Sequence, residues 1–414
     1  MITSEVTYVA AAFITLVGLL PLIPGWSVLG SAVVTGIGVV LGLLLLVSDT
    51  RHLVRRWSGW EFRRREPAFE RSDLPPVPGL PVAMVLDRGV VATDDDVNRH
   101  LRHAVQKVVW RAEPYRLEGD LRQAAPYVLR RSTSSRLPFN GPCVRLETDI
   151  DADLLRDDGD VFLRPASFFD ALCSNELTAW AIDRWDKPWR FREEFLLDSH
   201  GGVRPLDQSE LANVVGVSTL AITSDDHLLI VLQSRRSSAS AELWAPSGSG
   251  SLEPRDVVAD VSTTLQEVVT KGAERELVEE CGIRPASIVA STVLGFGRWL
   301  DRGAKPEFVC LTALDLSSAE VVARPARTSD EKLWTTRVET LPLSLSAVPG
   351  SVDGDDAARR DAVKALVDGD ARLAGSTSVP LAFGLACLVT ALEDRPELLE
   401  DLRAGATRTR GLPT

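Results

Sequence analysis

One stretch restricts the fold of this 414-residue chain more than any other, and it spans residues 264–283. Thr264 and Glu267 have the spacing of a capping box, which satisfies the first backbone N–H groups of a helix. Gly282 stands where glycine commonly ends a helix, because it adopts the left-handed conformation without strain. The sequence therefore predicts a helix from Leu265 to Cys281.

That helix places three carboxylates on one face. Glu276, Glu279 and Glu280 occur at i, i+3 and i+4, the spacing of neighbours on a helix surface. Like charges this close destabilise a helix, whereas Mg²⁺ removes the conflict because it takes carboxylate, water and phosphate oxygens. Arg275 offsets part of the charge and can orient a carboxylate, with Glu267 as the partner considered. The alternative interpretation is a solvated helical face.

The predicted helix follows a hairpin and a glycine-rich loop. Apolar, β-branched runs at 215–223 and 228–232 flank an Asp-Asp turn, which is typical of a β-hairpin. The loop is Trp244-Ala-Pro-Ser-Gly-Ser-Gly250. Two more strands are expected at 288–294 and 308–314, and two C-terminal helices at 355–367 and 381–392.

This order of elements and residues resembles the Nudix hydrolases. Their signature is Gly-x5-Glu-x7-Arg-Glu-U-x-Glu-Glu-x-Gly-U, where U is apolar, and the resemblance covers about residues 214–345. The loop from Trp244 to Gly250 resembles the tryptophan-Pro-Gly-Gly segment that precedes the signature. The matching signature positions are Glu267, Arg275, Glu276, Leu277, Glu279, Glu280, Gly282 and Ile283.

The chain departs from the signature at its first glycine, where Val261 stands. Gly248 or Gly250 is the expected substitute, and Glu253 resembles the acidic residue that follows it in many members. The insertion that this alignment requires lies near residues 256–266. The departure affects the backbone carbonyl that helps to hold metal in the family and leaves the glutamates unaffected.

The resemblance implies an α/β fold, a Nudix-like α/β/α sandwich with a mixed sheet. It also implies attack of water on a phosphorus atom of a nucleoside diphosphate derivative, with Mg²⁺ (or Mn²⁺) as cofactor. Glu280 is the choice for the carboxylate nearest the water, and Glu307 and Glu331 stay candidates for the general base. The expected metal ligands are Glu276, Glu279 and Glu280, and the expected catalytic residues are Glu280, Arg275 and Glu267.

A second group of charged residues lies between the later strands. Arg298, Lys305 and Glu307 occur in a glycine-flanked segment, and Arg235 ends the strand before the glycine-rich loop. These side chains are candidates for binding the phosphate or base of a substrate. Solvated charges on a hairpin are the alternative for the first three.

The N-terminus contains two uncharged apolar runs, 6–23 and 27–48. The second is long enough as a helix, about 33 Å, to cross a hydrocarbon core of roughly 30 Å. Arginines follow it, so the positive-inside rule predicts a two-helix transmembrane hairpin with a cytoplasmic catalytic domain. The acidic N-terminus disfavours a signal peptide. The expected location is a bacterial-type plasma membrane, with the lipid bilayer as partner. Gly38-x-x-x-Gly42 would allow the helices to pack closely or to form homo-oligomers, and the alternative is that glycine is simply common in membrane helices.

The resulting division has five parts. They are a transmembrane hairpin at 1–50, a basic and then proline-rich linker at 51–79, an uncharacterised α+β region at 80–205, a Nudix-like domain at 206–400 and a tail at 401–414. Within 80–205, helices are expected at 96–110, 121–131 and 168–180. The net charge of −12 argues against general nucleic-acid binding. Five widely spaced cysteines argue against a zinc site.

Three functions agree with these features. The first is a membrane-anchored pyrophosphohydrolase. The second is a nucleotide-sensing effector, because bacterial antiviral systems that use cyclic oligonucleotides include proteins joining two membrane helices to a Nudix domain. The third is a catalytically silent nucleotide-binding scaffold.

Overall fold

The computed structural model describes residues 59–65, 69–103, 105–133, 139–185, 187–235, 240–257, 263–323, 335–345, 356–367 and 369–410, together with Gly38, Val40 and Leu44. The chain divides into two units. One comprises Met1–Phe62 and Ile182–Trp189, and the other comprises Arg63–Ala181 and Arg190–Thr414.

The described elements are numbered in chain order. The strands are β1 (Trp60–Arg64), β2 (Val82–Leu86), β3 (Gly89–Thr93), β4 (Val108–Trp110), β5 (Pro142–Leu146), β6 (Val161–Ser167), β7 (Trp180–Arg184), β8 (Lys187–Trp189), β9 (Gly216–Ile222), β10 (His227–Gln233), β11 (Trp244–Ala245), β12 (Gly248–Ser251), β13 (Ile288–Trp299), β14 (Lys305–Leu314) and β15 (Thr335–Pro342). The α-helices are α1 (Asp95–Leu101), α2 (Gly119–Thr133), α3 (Ala152–Arg156), α4 (Phe168–Leu172), α5 (Leu265–Cys281), α6 (Ser318–Val322), α7 (Asp356–Leu366), α8 (Val379–Asp394) and α9 (Leu398–Arg410).

The largest described sheet has nine strands and mixed directions. Its main path runs β11-β10-β9-β14-β13-β3-β2, while β12 pairs with β9 and β15 pairs with β10. Strands β9 and β14 are parallel, and β13 and β14 are antiparallel. Two smaller sheets have three strands each, in the orders β4-β6-β5 and β1-β7-β8.

Side chains alternate between the two faces of this sheet, and helices cover both. In β9, Leu220 and Ile222 join the apolar cluster that contains α8. Ala221, between them, packs with Leu277 and Cys281 of α5 on the opposite face. The sheet is therefore the central layer, with α5 on one side and α8 on the other.

Most predicted elements of the later half are confirmed. Helix α5 has the predicted bounds, and β9, β10, β13, β14, α7 and α8 overlap their predicted ranges. In the earlier half, the predictions at 96–110 and 168–180 are wrong at their C-terminal ends. Helix α1 ends at Leu101, and Val108–Trp110 pairs with β6 as a strand. Helix α4 ends at Leu172, and a 3₁₀ turn at Asn175–Ala179 leads into β7.

The membrane part of the predicted fold class and location is wrong. No helix among the described residues is long and apolar enough to cross a membrane. The most apolar one, α8, is buried in the core beside the sheet and is shorter than the ~20 residues that a span needs. The predicted hairpin at 6–23 and 27–48 lies outside the described residues, except for the helical Gly38, Val40 and Leu44. The predicted multi-pass location and cytoplasmic placement are therefore wrong as well. The described residues form a mixed α/β fold.

Helix α5 approaches β12 closely enough to require glycine. A Cβ placed on Gly248 would lie 2.5 Å from the Leu277 backbone nitrogen. We expect Gly248→Ala to destabilise the protein by about 1–3 kcal/mol, because the backbone of the helix must shift. Urea unfolding of the full chain measures this. Gly141→Ala is the control, since its Cβ would make only ordinary contacts, and an equal effect of the two changes would contradict the packing described.

Candidate functional site

Helix α5 is fixed at both ends by local sequence. Thr264 Oγ1 accepts the Glu267 N–H at 3.3 Å, and the Glu267 carboxylate accepts the Thr264 N–H at 2.8 Å. Gly282 ends the helix with φ +62°. The capping box is confirmed, and it gives the exposed Glu267 a structural role at the helix start.

Arg275 gathers the carboxylates of the site. Its Nε and Nη2 donate to the two oxygens of Asp256, both at 2.9 Å, and Nη2 also donates to the Ser251 carbonyl at 2.8 Å. Its Nη1 donates to Glu276 Oε1 at 2.8 Å and to Glu279 Oε2 at 3.3 Å. Burial opposes the charge, but the hydrogen bond with Asp256 and the nearby carboxylates more than offset this and raise the pKa of Arg275.

Glu276 is far less exposed than Glu279, with 12% of its side chain exposed against 46%. It lies over Gly250, where any Cβ would overlap its carboxylate. Burial raises the pKa of Glu276 to about 7, although the ion pair with Arg275 opposes this shift, and the charges of Glu279 and Glu253 add to it. The position therefore favours a nearby positive charge.

Glu279 is held by a second arginine. Arg255 Nη2 donates to Glu279 Oε1 at 2.8 Å, and Arg255 Nε lies 2.6 Å from Glu253 Oε2. The Glu279 side chain is 46% exposed, so it is the member of the cluster most open to solvent. Arg255 and Arg275 thus share the acidic groups around the helix.

Glu280 is linked to the second predicted group by a chain of polar contacts. The Ser249 N–H donates to Glu280 Oε2 at 3.1 Å, and Ser249 Oγ lies 3.3 Å from Ser218 Oγ. Ser218 Oγ donates to Glu307 Oε1 at 3.3 Å, and Lys305 Nζ donates to Glu307 Oε2 at 2.6 Å. The structure therefore connects Glu280 with Lys305 and Glu307 through two serines.

The Lys305–Glu307 pair is buried beside a glycine. Glu307 aligns with Gly216 across the parallel β9–β14 ladder, and a Cβ there would overlap both charged side chains. Burial lowers the pKa of Lys305, and Glu307 partly opposes this shift. Both side chains are almost fully buried, so they form part of the site's floor.

The two remaining predicted substrate contacts pair with residues outside this group. Arg298 is 1% exposed, and it donates to the Ala304 carbonyl at 2.9 Å and to Asp149 Oδ1 at 3.3 Å. Arg235 is 83% exposed and pairs with Glu242. In this structure Arg298 crosslinks the fold, and Arg235 lies on the surface.

Asp256 is the site residue that the sequence interpretation missed. It takes the bidentate ion pair with Arg275 that had been considered for Glu267. The signal was present, because Asp256 follows Gly250 by the Gly-x5-acid spacing of the signature. The insertion therefore begins after Asp256. Val261 lies outside the described residues.

The carboxylates are suitable metal ligands, but their side chains do not converge on one point. No group of three or more His, Cys, Asp or Glu side chains among the described residues is placed to hold a metal ion. Glu276 and Glu279 instead share Arg275, Glu279 also pairs with Arg255, and Glu280 accepts the Ser249 N–H. The donor set still suits Mg²⁺, since these are hard oxygen ligands and the buried Glu276 gains from a positive neighbour. Glu331 lies outside the described residues.

Comparisons with known proteins give limited similarity. No family model matches the chain, and no curated protein matches it. The solved structure of DR0079 from Deinococcus radiodurans is 15% identical with a TM-score of 0.26, covering 46% of this chain and 95% of that one. A MutT protein from Methanosarcina mazei is 18% identical with a TM-score of 0.21, covering 36% and 87% respectively. At TM-scores this low, neither similarity carries an argument about activity.

The partner of Arg275 can be tested by double-mutant cycles. We expect a coupling free energy of about 1–3 kcal/mol between Asp256→Asn and Arg275→Gln, because their bidentate ion pair is buried. Glu267→Gln and Arg275→Gln should instead be additive within about 0.5 kcal/mol. Urea unfolding of the single and double variants measures both values. A larger coupling free energy in the Glu267–Arg275 cycle than in the Asp256–Arg275 cycle would contradict the structure.

Proposed function

We propose that the chain is a Nudix-type hydrolase that cleaves a pyrophosphate linkage in a nucleoside diphosphate derivative and uses Mg²⁺. The observation that carries the proposal is the contact of the Glu276 carboxylate with Gly250 and Arg275, on the helix whose sequence resembles the family's signature. A buried carboxylate between a glycine-rich loop and a fixed guanidinium is suited to metal and phosphate chemistry.

Each residue has a role in this reaction. Glu276, Glu279 and Glu280 are the residues that would hold Mg²⁺, which when bound neutralises phosphate charge and lowers the pKa of a coordinated water. A water oxygen forms the new P–O bond while Glu280 takes its proton, and the bridging P–O bond breaks, leaving its electron pair on the departing phosphate. Arg275 is a positioning residue, since its hydrogen bonds orient Glu276 and Glu279.

Lys305 and Glu307 support the floor of this site. Glu307 is linked to Glu280 through Ser218 and Ser249, so it influences the orientation of that carboxylate through hydrogen bonds. Lys305 supplies the positive charge that pairs with the buried Glu307 carboxylate.

A second candidate function is nucleotide sensing without turnover. The specific observation in its favour is that Arg255 and Arg275 already pair with Glu253, Glu276 and Glu279. Ion pairs of this kind compete with a metal ion for the same oxygens. Such a site would bind a nucleotide and keep it intact.

A substrate panel distinguishes the two functions. The full chain is incubated with Mg²⁺ and NDP-sugars, NAD, ADP-ribose, dinucleoside polyphosphates or NTPs, and product formation is followed by chromatography. We expect hydrolysis of at least one compound, and a loss of about 100-fold or more in Glu280→Gln, because a group that takes a proton from water is removed.

Glu400→Gln, an exposed change on α9, is the matched control and should leave turnover unaffected. Saturable nucleotide binding with no hydrolysis of any compound would favour the sensor. Hydrolysis that Glu280→Gln retains at the wild-type rate would contradict the assigned role.

A further inference from the structure

A cavity of about 440 Å³ lies in the region before β9. Its lining includes Tyr115, Arg116, Arg145 and Arg164, and none of its lining residues belongs to α5 or the glycine-rich loop. The volume is within the range of roughly 300–1,000 Å³ that is usual for small-molecule sites.

Arginine side chains cluster around one buried carboxylate at the wall of this cavity. Three arginines surround the single carboxylate of Glu147, which is itself buried. The distances to Glu147 oxygens are 2.8 Å from Arg111 Nη1, 2.8 Å from Arg164 Nε and 3.5 Å from Arg145 Nε. Arg145 and Arg164 both line the cavity, and Glu147 offsets only one of their two charges, so a further anion would be stabilised here.

Two of these guanidinium groups, those of Arg145 and Arg164, line the cavity. Their Nε atoms are shielded from solvent and face Glu147 Oε1 at 3.5 and 2.8 Å, so it is the rest of each guanidinium group that can meet a ligand. Arg145 is only 7% exposed at its side chain, donates to the Ser209 carbonyl at 2.6 Å and lies 4.8 Å from the centre of the Tyr115 ring. Burying an arginine in this way is costly unless a partner completes its hydrogen bonds.

The acidic residues of the cavity lie at its rim. Glu113, Glu118 and Glu210 are exposed to water, and Glu210 pairs with Arg204. Water and salt screen their charges far more than those of the buried arginines. The less exposed arginines therefore favour a negatively charged ligand.

We propose that this cavity is a second ligand site, separate from the glutamates of α5, and that it binds a small phosphate-bearing anion through Arg145 and Arg164. Planar guanidinium groups match phosphate oxygens in pairs, which gives both charge and direction. Arg116 reaches the same cavity from its exposed side and contributes additional charge. The proposal is independent of the proposed hydrolysis.

The test is calorimetric titration of the full chain at fixed ionic strength, with EDTA present so that no divalent metal contributes. Inorganic pyrophosphate and ADP are the two probes. We expect saturable binding, weakened about tenfold or more in Arg164→Gln, since one charge-assisted contact with phosphate is lost. Arg116→Gln changes an exposed side chain of the lining and should weaken binding to a smaller but measurable extent.

Two control variants locate the bound anion. Arg122→Gln changes an exposed arginine on α2 outside the cavity lining, and Glu280→Gln changes the other site. Both should bind the probes like the wild type. Tighter binding of ADP than of pyrophosphate indicates a nucleotide ligand, and equal or weaker binding indicates phosphate groups alone.

The proposal is overturned if neither probe binds. It is also overturned if Arg164→Gln and Arg116→Gln bind like Arg122→Gln, or if Glu280→Gln abolishes binding, because the anion would then lie at the glutamate helix.

Discussion

The structure of the site depends on one guanidinium group. Arg275 bonds the two oxygens of Asp256, the Ser251 carbonyl and the carboxylates of Glu276 and Glu279. These contacts join the loop to the helix, and they allow several acidic groups to lie close together without separating into solvent. An arginine suits this position better than a lysine, because its planar group donates in several fixed directions at once. The proposed chemistry follows from this arrangement, since it keeps carboxylates next to a glycine-rich loop.

Glycines make the same arrangement sterically feasible. Gly248 admits the backbone of α5, Gly250 admits the Glu276 carboxylate, and Gly216 admits the Lys305–Glu307 pair. All three glycines are on strands of one sheet, so the absence of their side chains lets charged groups and the helix backbone pack directly against that sheet. The serines between Glu280 and Glu307 then join the two charged groups into one polar chain. The separate arginine cavity is built on β5 and its surroundings, without residues of α5.

The sequence predicted the parts of the fold that depend on local patterns. The capping box and Gly282 defined α5 correctly, because caps and helical periodicity are local properties. The sequence failed where pairing with a distant strand determines the secondary structure. Val108–Trp110, for example, is a strand because it pairs with β6. The Asp256–Arg275 pair was missed because an insertion separates the two residues, and burial of Arg298 is a tertiary property that its flanking glycines do not indicate. The prediction of transmembrane helices was wrong, because no helix among the described residues is long and apolar enough to cross a membrane.

Direct metal binding tests the central claim, that Arg275 holds the α5 carboxylates where they can take up a divalent cation. Mn²⁺ titration of the full chain, followed by electron paramagnetic resonance at pH 8 without substrate, measures it. The account predicts saturable binding that weakens about tenfold or more in Glu276→Gln and is unchanged in Glu400→Gln. Equal Mn²⁺ affinity in the wild type and Glu276→Gln would contradict it.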